Sequence, residues 1–276
     1  MLIATFCALG AAVLHAGWNL SLKQSGDRFV AAALQFLAGG LLFLPVAVYL
    51  GLPTGEAALC LGISTLIHLL YVICLVRAYG GGDFSLAYPL ARGSGALLAA
   101  LGGALFLGDL VPPVAVVGMV VAGVGLFSLV QRRSGSRAQV WAVATGCLIA
   151  SYTLVDTVGA RDSNGAAYAM AEALTVGLAL TIVAVGIGRT KLLIASARQF
   201  WPRHIGAGIA STLAYGLVLV AVGYAPVGYV AVLRESSVVF GSLAGWFLLK
   251  ERLGLRRAAS SMVVLAGIGT MIVAIR

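Results

Sequence analysis

Apolar residues run along this chain in long blocks separated by short polar connections. A block of about 20 residues is what a helix needs to cross the roughly 30 Å hydrocarbon core of a bilayer. Ten blocks fit, at roughly 2–22, 29–51, 57–77, 84–107, 112–131, 138–160, 165–188, 204–224, 226–249 and 255–275. The pattern predicts an all-α polytopic membrane protein of ten transmembrane helices, with almost nothing left for a soluble domain.

Two blocks carry an arginine well inside them, in Tyr88-Pro-Leu-Ala-Arg92-Gly-Ser94 and Val230-Ala-Val-Leu-Arg234-Glu-Ser236. An ionised group at membrane depth is costly unless it lines a cavity or meets a partner, so each is a candidate functional residue. The arginines stand 142 residues apart, and their surroundings correspond: Ser94 to Ser236, Gly103 to Gly245, Leu107 to Leu249, Asp109 to Glu251. At an offset of 137, Asn19 pairs with Asp156 and Gln35 with Glu172. The chain therefore divides into a first five-helix repeat over 1–131, a linker over 132–137 and a second repeat over 138–276. Because each copy has an odd number of spans, the second enters the membrane with the opposite orientation, an arrangement typical of transporters.

Composition fits a membrane protein: 61% of residues are hydrophobic and 10% charged, and the mean hydropathy is +1.04. Such a chain has too little polar surface to cover a soluble globule. The 36 glycines read as packing surfaces, because small residues let helix backbones approach closely in lipid. Gly118-Met-Val-Val-Ala-Gly-Val-Gly125 and Ser261-Met-Val-Val-Leu-Ala-Gly-Ile-Gly269 are two such stripes, open to packing within the bundle or to a homodimer. The four cysteines fall inside spans and show no ligand spacing. The net charge of +9 sits mainly in short connections, so no nucleic-acid surface is expected. The first span has no basic residue before it and carries His15, Trp18 and Asn19 where a cleavage site would need small residues, so it is expected to be retained. The basic stretch Arg189–Arg203 is expected to lie on the membrane surface as a connection.

The ten-span pattern, His15-Ala-Gly-Trp-Asn19 closing the first span, Tyr152-Thr-Leu-Val-Asp156 in the sixth and Phe247-Leu-Leu-Lys-Glu251-Arg-Leu after the ninth together resemble the EamA branch of the drug/metabolite transporter superfamily. That resemblance implies a multi-pass carrier of the bacterial inner membrane, often an exporter of amino acids and other small metabolites, with a central cavity between its halves. It transfers no substrate. It also implies termini in the cytoplasm, against which the charge pattern stands: 14 of the 18 Lys and Arg residues lie in the connections after spans one, three, five, seven and nine. The positive-inside rule places those connections in the cytoplasm and both termini outside.

Helix direction sorts the intramembrane polar groups into two clusters. Arg92, Asn19, Gln35 and His15 fall nearer the side of the odd-numbered connections, and Asp156, Glu172, Arg234 and Glu235 take the mirror positions toward the other face. An arginine in low dielectric needs an anion, from the protein or from a substrate. Arg234 has Asp156 and Glu172 as candidates. Arg92 has amides and a glycine at the mirror positions, which makes it the expected anchor for an anionic or zwitterionic substrate; the alternative is snorkelling to the interface. Trp18, Tyr71, Tyr88 and Ser94 join it as candidate binding residues, and Tyr152 joins the acidic side. Three carboxylates around one arginine cannot all be comfortably ionised. Glu172 or Glu235 is therefore a candidate for proton coupling, the alternative being a static network that fixes helix packing.

Neither His15 nor His68 has a Cys or carboxylate at ligand spacing, so no metal is expected, and no cofactor motif is present. The absence of a Walker motif leaves a gradient or exchange as the driving force. A flippase for a lipid-linked sugar or phospholipid headgroup is the second reading. A membrane-embedded enzyme is a third, without a nucleophile and base pattern to support it. For the charge bias, reporter fusions are expected to place the 132–137 linker in the cytoplasm and the C-terminus in the periplasm; a cytoplasmic C-terminal signal would show the family layout overriding the local charges.

Overall fold

A computed structural model describes residues 1–80, 84–128, 136–237 and 255–274. Among them the chain forms ten helices: α1 (Leu2–Lys23), α2 (Arg28–Leu50), α3 (Gly55–Gly80), α4 (Phe84–Phe106), α5 (Pro113–Ser128), α6 (Ser136–Arg161), α7 (Gly165–Gly186), α8 (Thr190–Ala221), α9 (Val227–Arg234) and α10 (Leu255–Val273). The protein is an all-helical, polytopic membrane protein. By length and composition α1, α2, α3, α6, α7 and α8 each suffice to cross a membrane, and shorter apolar helical stretches run over Ala91–Phe106, Pro113–Ser128 and Met262–Val273. Most of the 132–137 linker, the end of the ninth span and the Phe247–Leu253 motif lie outside the described residues, as do Gly245, Leu249 and Glu251.

Local sequence explains several boundaries. Asp27 caps α2 by accepting from Phe29 N and Val30 N, and Asn164 caps α7 by accepting from Ala166 N and Ala167 N. Pro113 opens α5, where its missing N–H leaves no bond unmade. One boundary differs from expectation. The stretch after Arg189 is helical rather than an irregular connection, and α8 starts at Thr190 and bends at Phe200 (φ −125°, ψ 23°). Pro202, two residues on, lacks an N–H and crowds the preceding turn, which accounts for the break.

The polar ends of the helices gather on two faces. On one, Asp27 pairs with Arg189 at 2.9 Å, tying the α1–α2 connection to α7–α8, and the Arg77 guanidinium lies 4.7 Å from the Trp141 ring, tying the end of α3 to the start of α6. On the other, Arg161 pairs with Asp109 at 2.9 Å and donates to Val222 O, while Asp109 also accepts from Val227 N. These contacts thus join connections one and seven at one end of the helices, and connections four, six and eight at the other. Between the faces, large apolar side chains such as Leu41, Leu59, Leu66, Leu105 and Phe106 point outward, a surface suited to lipid.

Helix packing is close and paired. α2 lies against α7, α5 against α10, α3 and α4 against α6, α1 and α2 against α8, and α9 against α4 and α1. At α2–α7, a Cβ on Gly40 would overlap the Leu174 backbone and one on Gly177 would overlap that of Leu37. At α5–α10, a Cβ on Gly118 would come 2.6 Å from Gly267 O and one on Gly125 3.1 Å from Ser260 O. The glycine stripes therefore meet within the bundle, where any larger residue would separate the helices.

Candidate functional site

Near the middle of the bundle the apolar packing is interrupted by a layer of buried polar side chains from α1, α3, α4, α6, α7 and α9. Arg92 on α4 and Glu235, just past the end of α9, form its centre. Arg92 Nε donates to Glu235 Oε2 at 3.0 Å and Nη2 to Oε1 at 2.7 Å, a two-pronged ion pair with side chains 5% and 1% exposed. The planar guanidinium fork matches a carboxylate edge, which makes this the stronger kind of charge pair. Arg92 Nη1 also lies 2.9 Å from His15 Nε2. The opposite ring nitrogen of His15 faces Trp18 Nε1 at 3.2 Å. Both neighbours are N–H donors, and a neutral imidazole has one lone pair to offer, so they compete for it.

This corrects the two-cluster reading. Arg92 is matched by a protein carboxylate, and Glu235 belongs with it rather than with a separate acidic group. Asn19 gives its amide to His15 O at 2.8 Å on its own helix. Gln35 is buried with its Nε2 3.5 Å from Ser21 Oγ, a hydroxyl that also accepts from Arg203 Nε at 3.2 Å, so it belongs to a polar string leading toward Arg203 rather than to Arg92. Ser94 donates to Ala91 O at 3.3 Å. Tyr88 lies in α4, but its side chain is outside the described residues.

The second part of the layer surrounds His68 on α3. Its Nδ1 stands 3.0 Å from Glu172 Oε1 on α7, and also 3.1 Å from both Ser64 Oγ and Ser64 O. With Ser64 competing for that nitrogen, Glu172 Oε1 lacks hydrogen-bond geometry to it and is left without a partner in a buried position. The Tyr152 ring stacks on His68 with centroids 3.9 Å apart, and Tyr71 and Tyr215 meet it edge-on at 6.0 and 6.1 Å. Asp156, fully buried on α6, accepts from Tyr168 at 2.9 Å and from Tyr215 at 2.5 Å. Tyrosine hydroxyls, rather than Arg234, are what hold it.

Contrary to the expectation from spacing along the chain, candidate ligand atoms of His68, Asp156 and Glu172 lie within 4.8 Å of one another. Three helices bring them together, so no local motif could show it. Asp156 is already taken up by the hydroxyls of Tyr168, Tyr215 and Ser64, and the pair that remains is an acid facing an imidazole, an arrangement suited to a proton.

Arg234 is placed differently from Arg92. It is 2% exposed, and Glu235 Oε1 stands 4.0 Å from its Nε, too far for a hydrogen bond. Among the described residues that Nε has no partner, and neither do the buried hydroxyls of Ser236 and Ser237. A buried donor left unpaired costs about 1–3 kcal/mol, so three on one turn form an unusual concentration. Sequence reasoning passed over Ser64, Tyr168 and Ser237, weighed His68 only as a metal ligand, and noted Ser236 without placing it in a site. Two signals were available: Ser64 with His68 and Tyr168 with Glu172 are each spaced i, i+4 on one helix face.

Residues 136–273, half of the chain, match the sequence model of the EamA-like transporter family. The chain belongs to that family. It is thus a membrane transporter of the drug/metabolite type. A search of curated proteins gave no match. Among solved structures, one described as "Crystal structure of protein" superposes with a TM-score of 0.77 at 16% identity, covering 99% of this chain and 96% of that one. At that identity the likeness is one of fold. The transporter's second half carries the family match, and it contributes Tyr152, Asp156, Glu172, Arg234 and Glu235 to the layer.

The ion pair makes a direct prediction for stability. Arg92→Met leaves the Glu235 carboxylate buried without its fork and is expected to lower stability by about 3–5 kcal/mol. Thermal unfolding of the purified protein measures it, and an unchanged midpoint would show that Arg92 and Glu235 are not paired in the protein.

Proposed function

We propose that this transporter is a secondary carrier of small polar metabolites, anionic or zwitterionic, working by alternating access and coupled to protons through Glu172. The observation that carries it is the buried layer itself: an ion pair, a second arginine and two further carboxylates at the centre of an otherwise apolar bundle. Ionisable groups at that depth are expensive and mark transport pathways far more often than they serve packing. Export is the direction common among members of the family.

The architecture we infer is two five-helix units, 1–131 and 138–276, inverted relative to one another. Exchanging each helix for the one five places along supports it: α1–α8 becomes α6–α3, α2–α8 becomes α7–α3, and α2–α7 and α5–α10 return to themselves. Single residues follow the same rule. The contact of Gly40 with Leu174 becomes, at an offset of 137, that of Gly177 with Leu37, and the contact of Gly118 with Gly267 becomes, at an offset of 142, that of Ser260 with Gly125. The helix caps Asp27 and Asn164 are also 137 apart and lie at opposite faces, as inversion requires. In such a carrier the two units rock about a fixed central site.

Glu172 is the group best placed to exchange a proton. It faces His68 from α3 and Asp156 from α6, with candidate ligand atoms of the three within 4.8 Å of one another, and the rings of Tyr152 and Tyr215 pack against His68. From α2 it meets no ionisable side chain, since Arg28 and Tyr49 are at that helix's ends. Counting every carboxylate as ionised, the layer holds Arg92 and Arg234 against Glu235, Glu172 and Asp156, one negative charge in excess among the described residues. A proton on the Glu172–His68 pair removes that excess, and its release restores it. This is the physical link between proton binding and the state of the site.

Proteoliposome uptake of a metabolite panel, run with and without a pH gradient, tests the reading. The wild type is expected to respond to the gradient, and Glu172→Gln, which keeps the shape but cannot release a proton, is expected to transport with a flat pH response. A full wild-type response in Glu172→Gln would remove that residue from coupling.

A further inference from the structure

We propose that Arg234, Ser236 and Ser237 form the subsite that binds the carboxylate of the transported solute, so that the anion is held by the second arginine and not by Arg92. This rests on the carrier reading above and names the substrate class for the same layer: small organic acids and zwitterions with a free carboxylate.

Three observations converge on this turn. First, the helix tightens there. The regular α-helix ends at Arg234, the Glu235 N–H bonds back to Val232 O at 3.0 Å, Glu235 keeps right-handed helical dihedrals (φ −69°, ψ −9°), and helical geometry continues at 236 and 237. A tightened turn of this kind inside a helix often marks a functional hinge.

Second, the donors on the turn have no partner. Arg234 Nε, Ser236 Oγ and Ser237 Oγ are all buried and unbonded, in residues 2%, 3% and 1% exposed. Most hydroxyls elsewhere in these helices are bonded: Thr65, Ser151, Thr157 and Ser163 each donate to the carbonyl four residues back, and the unbonded Thr153 and Thr212 stand singly on α6 and α8. The serines of the α9 turn have given up that bond, and Arg234 and Ser237, three residues apart, are spaced to fall on one face of the turn.

Third, the layer already shows what a carboxylate does on an arginine. Glu235 caps the Arg92 fork with both oxygens, which closes that arginine to a substrate. Arg234, its counterpart at an offset of 142, has Glu235 no nearer than 4.0 Å. A solute carboxylate brought to Arg234 would make the same fork contact and would accept from the serine hydroxyls, satisfying donors that are now idle.

The test uses the full-length protein in proteoliposomes and three labelled acids, lactate, N-acetylglycine and L-alanine, each beside its primary amide. The expected result is that the wild type carries at least one acid in preference to its amide. Ser236→Ala/Ser237→Ala should cut that preference on the order of tenfold, the effect of losing hydrogen bonds to a charged group, and Arg234→Lys should reduce it as well. Because the two hydroxyls bond to nothing in the protein, the serine double variant should unfold at a temperature no lower than the wild type. A lower midpoint would mean the hydroxyls are structural and would overturn the proposal, as would an unchanged acid-to-amide ratio. If the wild type carries acids and amides alike, the subsite falls and the carrier stands; if it carries none of the six, the carrier reading falls with it.

Discussion

A charge inside a bilayer must find a counter-charge, and in this protein the Arg92–Glu235 pair meets that requirement at the middle of the bundle. The pair joins α4 to the end of α9, and His15 on α1 completes the Arg92 environment. Moving either charged side chain out of register would leave a buried ion exposed to hydrocarbon, a loss far larger than that of any single apolar contact nearby. The helices are consequently held at one relative height. The glycine contacts of α2 with α7 and α5 with α10 then let the backbones close around the layer.

The layer has two chemical characters. Around Arg92 it is a saturated ion pair, rigid and spoken for. Around His68, Glu172 and Arg234 it is under-bonded: Glu172 Oε1, Arg234 Nε and the hydroxyls of Ser236 and Ser237 are buried without partners. A protein whose only demand was stability would pair or delete such groups. A carrier needs them, because a solute or a proton can bind only to groups the protein has not already satisfied. The sequence carries the same asymmetry at an offset of 137, with amides at Asn19 and Gln35 standing where Asp156 and Glu172 stand further along the chain.

Much of the fold was legible in the chain. Apolar blocks of bilayer length marked the helices, and the two glycine contacts between α2 and α7, Gly40 with Leu174 and Gly177 with Leu37, are related by the same 137-residue offset that pairs Asn19 with Asp156. The start of α8 was not legible, since a basic stretch reads as a connection whether or not it is helical. Arg92 shows the deeper limit. Comparing it with its mirror positions revealed amides and a glycine, yet the residue that faces it is Glu235. Repeat correspondence says which positions are equivalent; which side chains meet depends on how each helix is rotated against its neighbours. The His68–Glu172 approach was hidden for the same reason, its members lying on helices far apart in sequence.

The central claim is that the unsatisfied groups of this layer serve transport and are not required for the fold. Arg234→Met tests it most directly, because it removes a buried charge whose Nε has no partner among the described residues and leaves the Arg92–Glu235 pair in place. Thermal unfolding and proteoliposome transport should be measured on the same preparation. The account predicts a protein that unfolds at or above the wild-type temperature and transports nothing. Transport at the wild-type rate by this variant would contradict it.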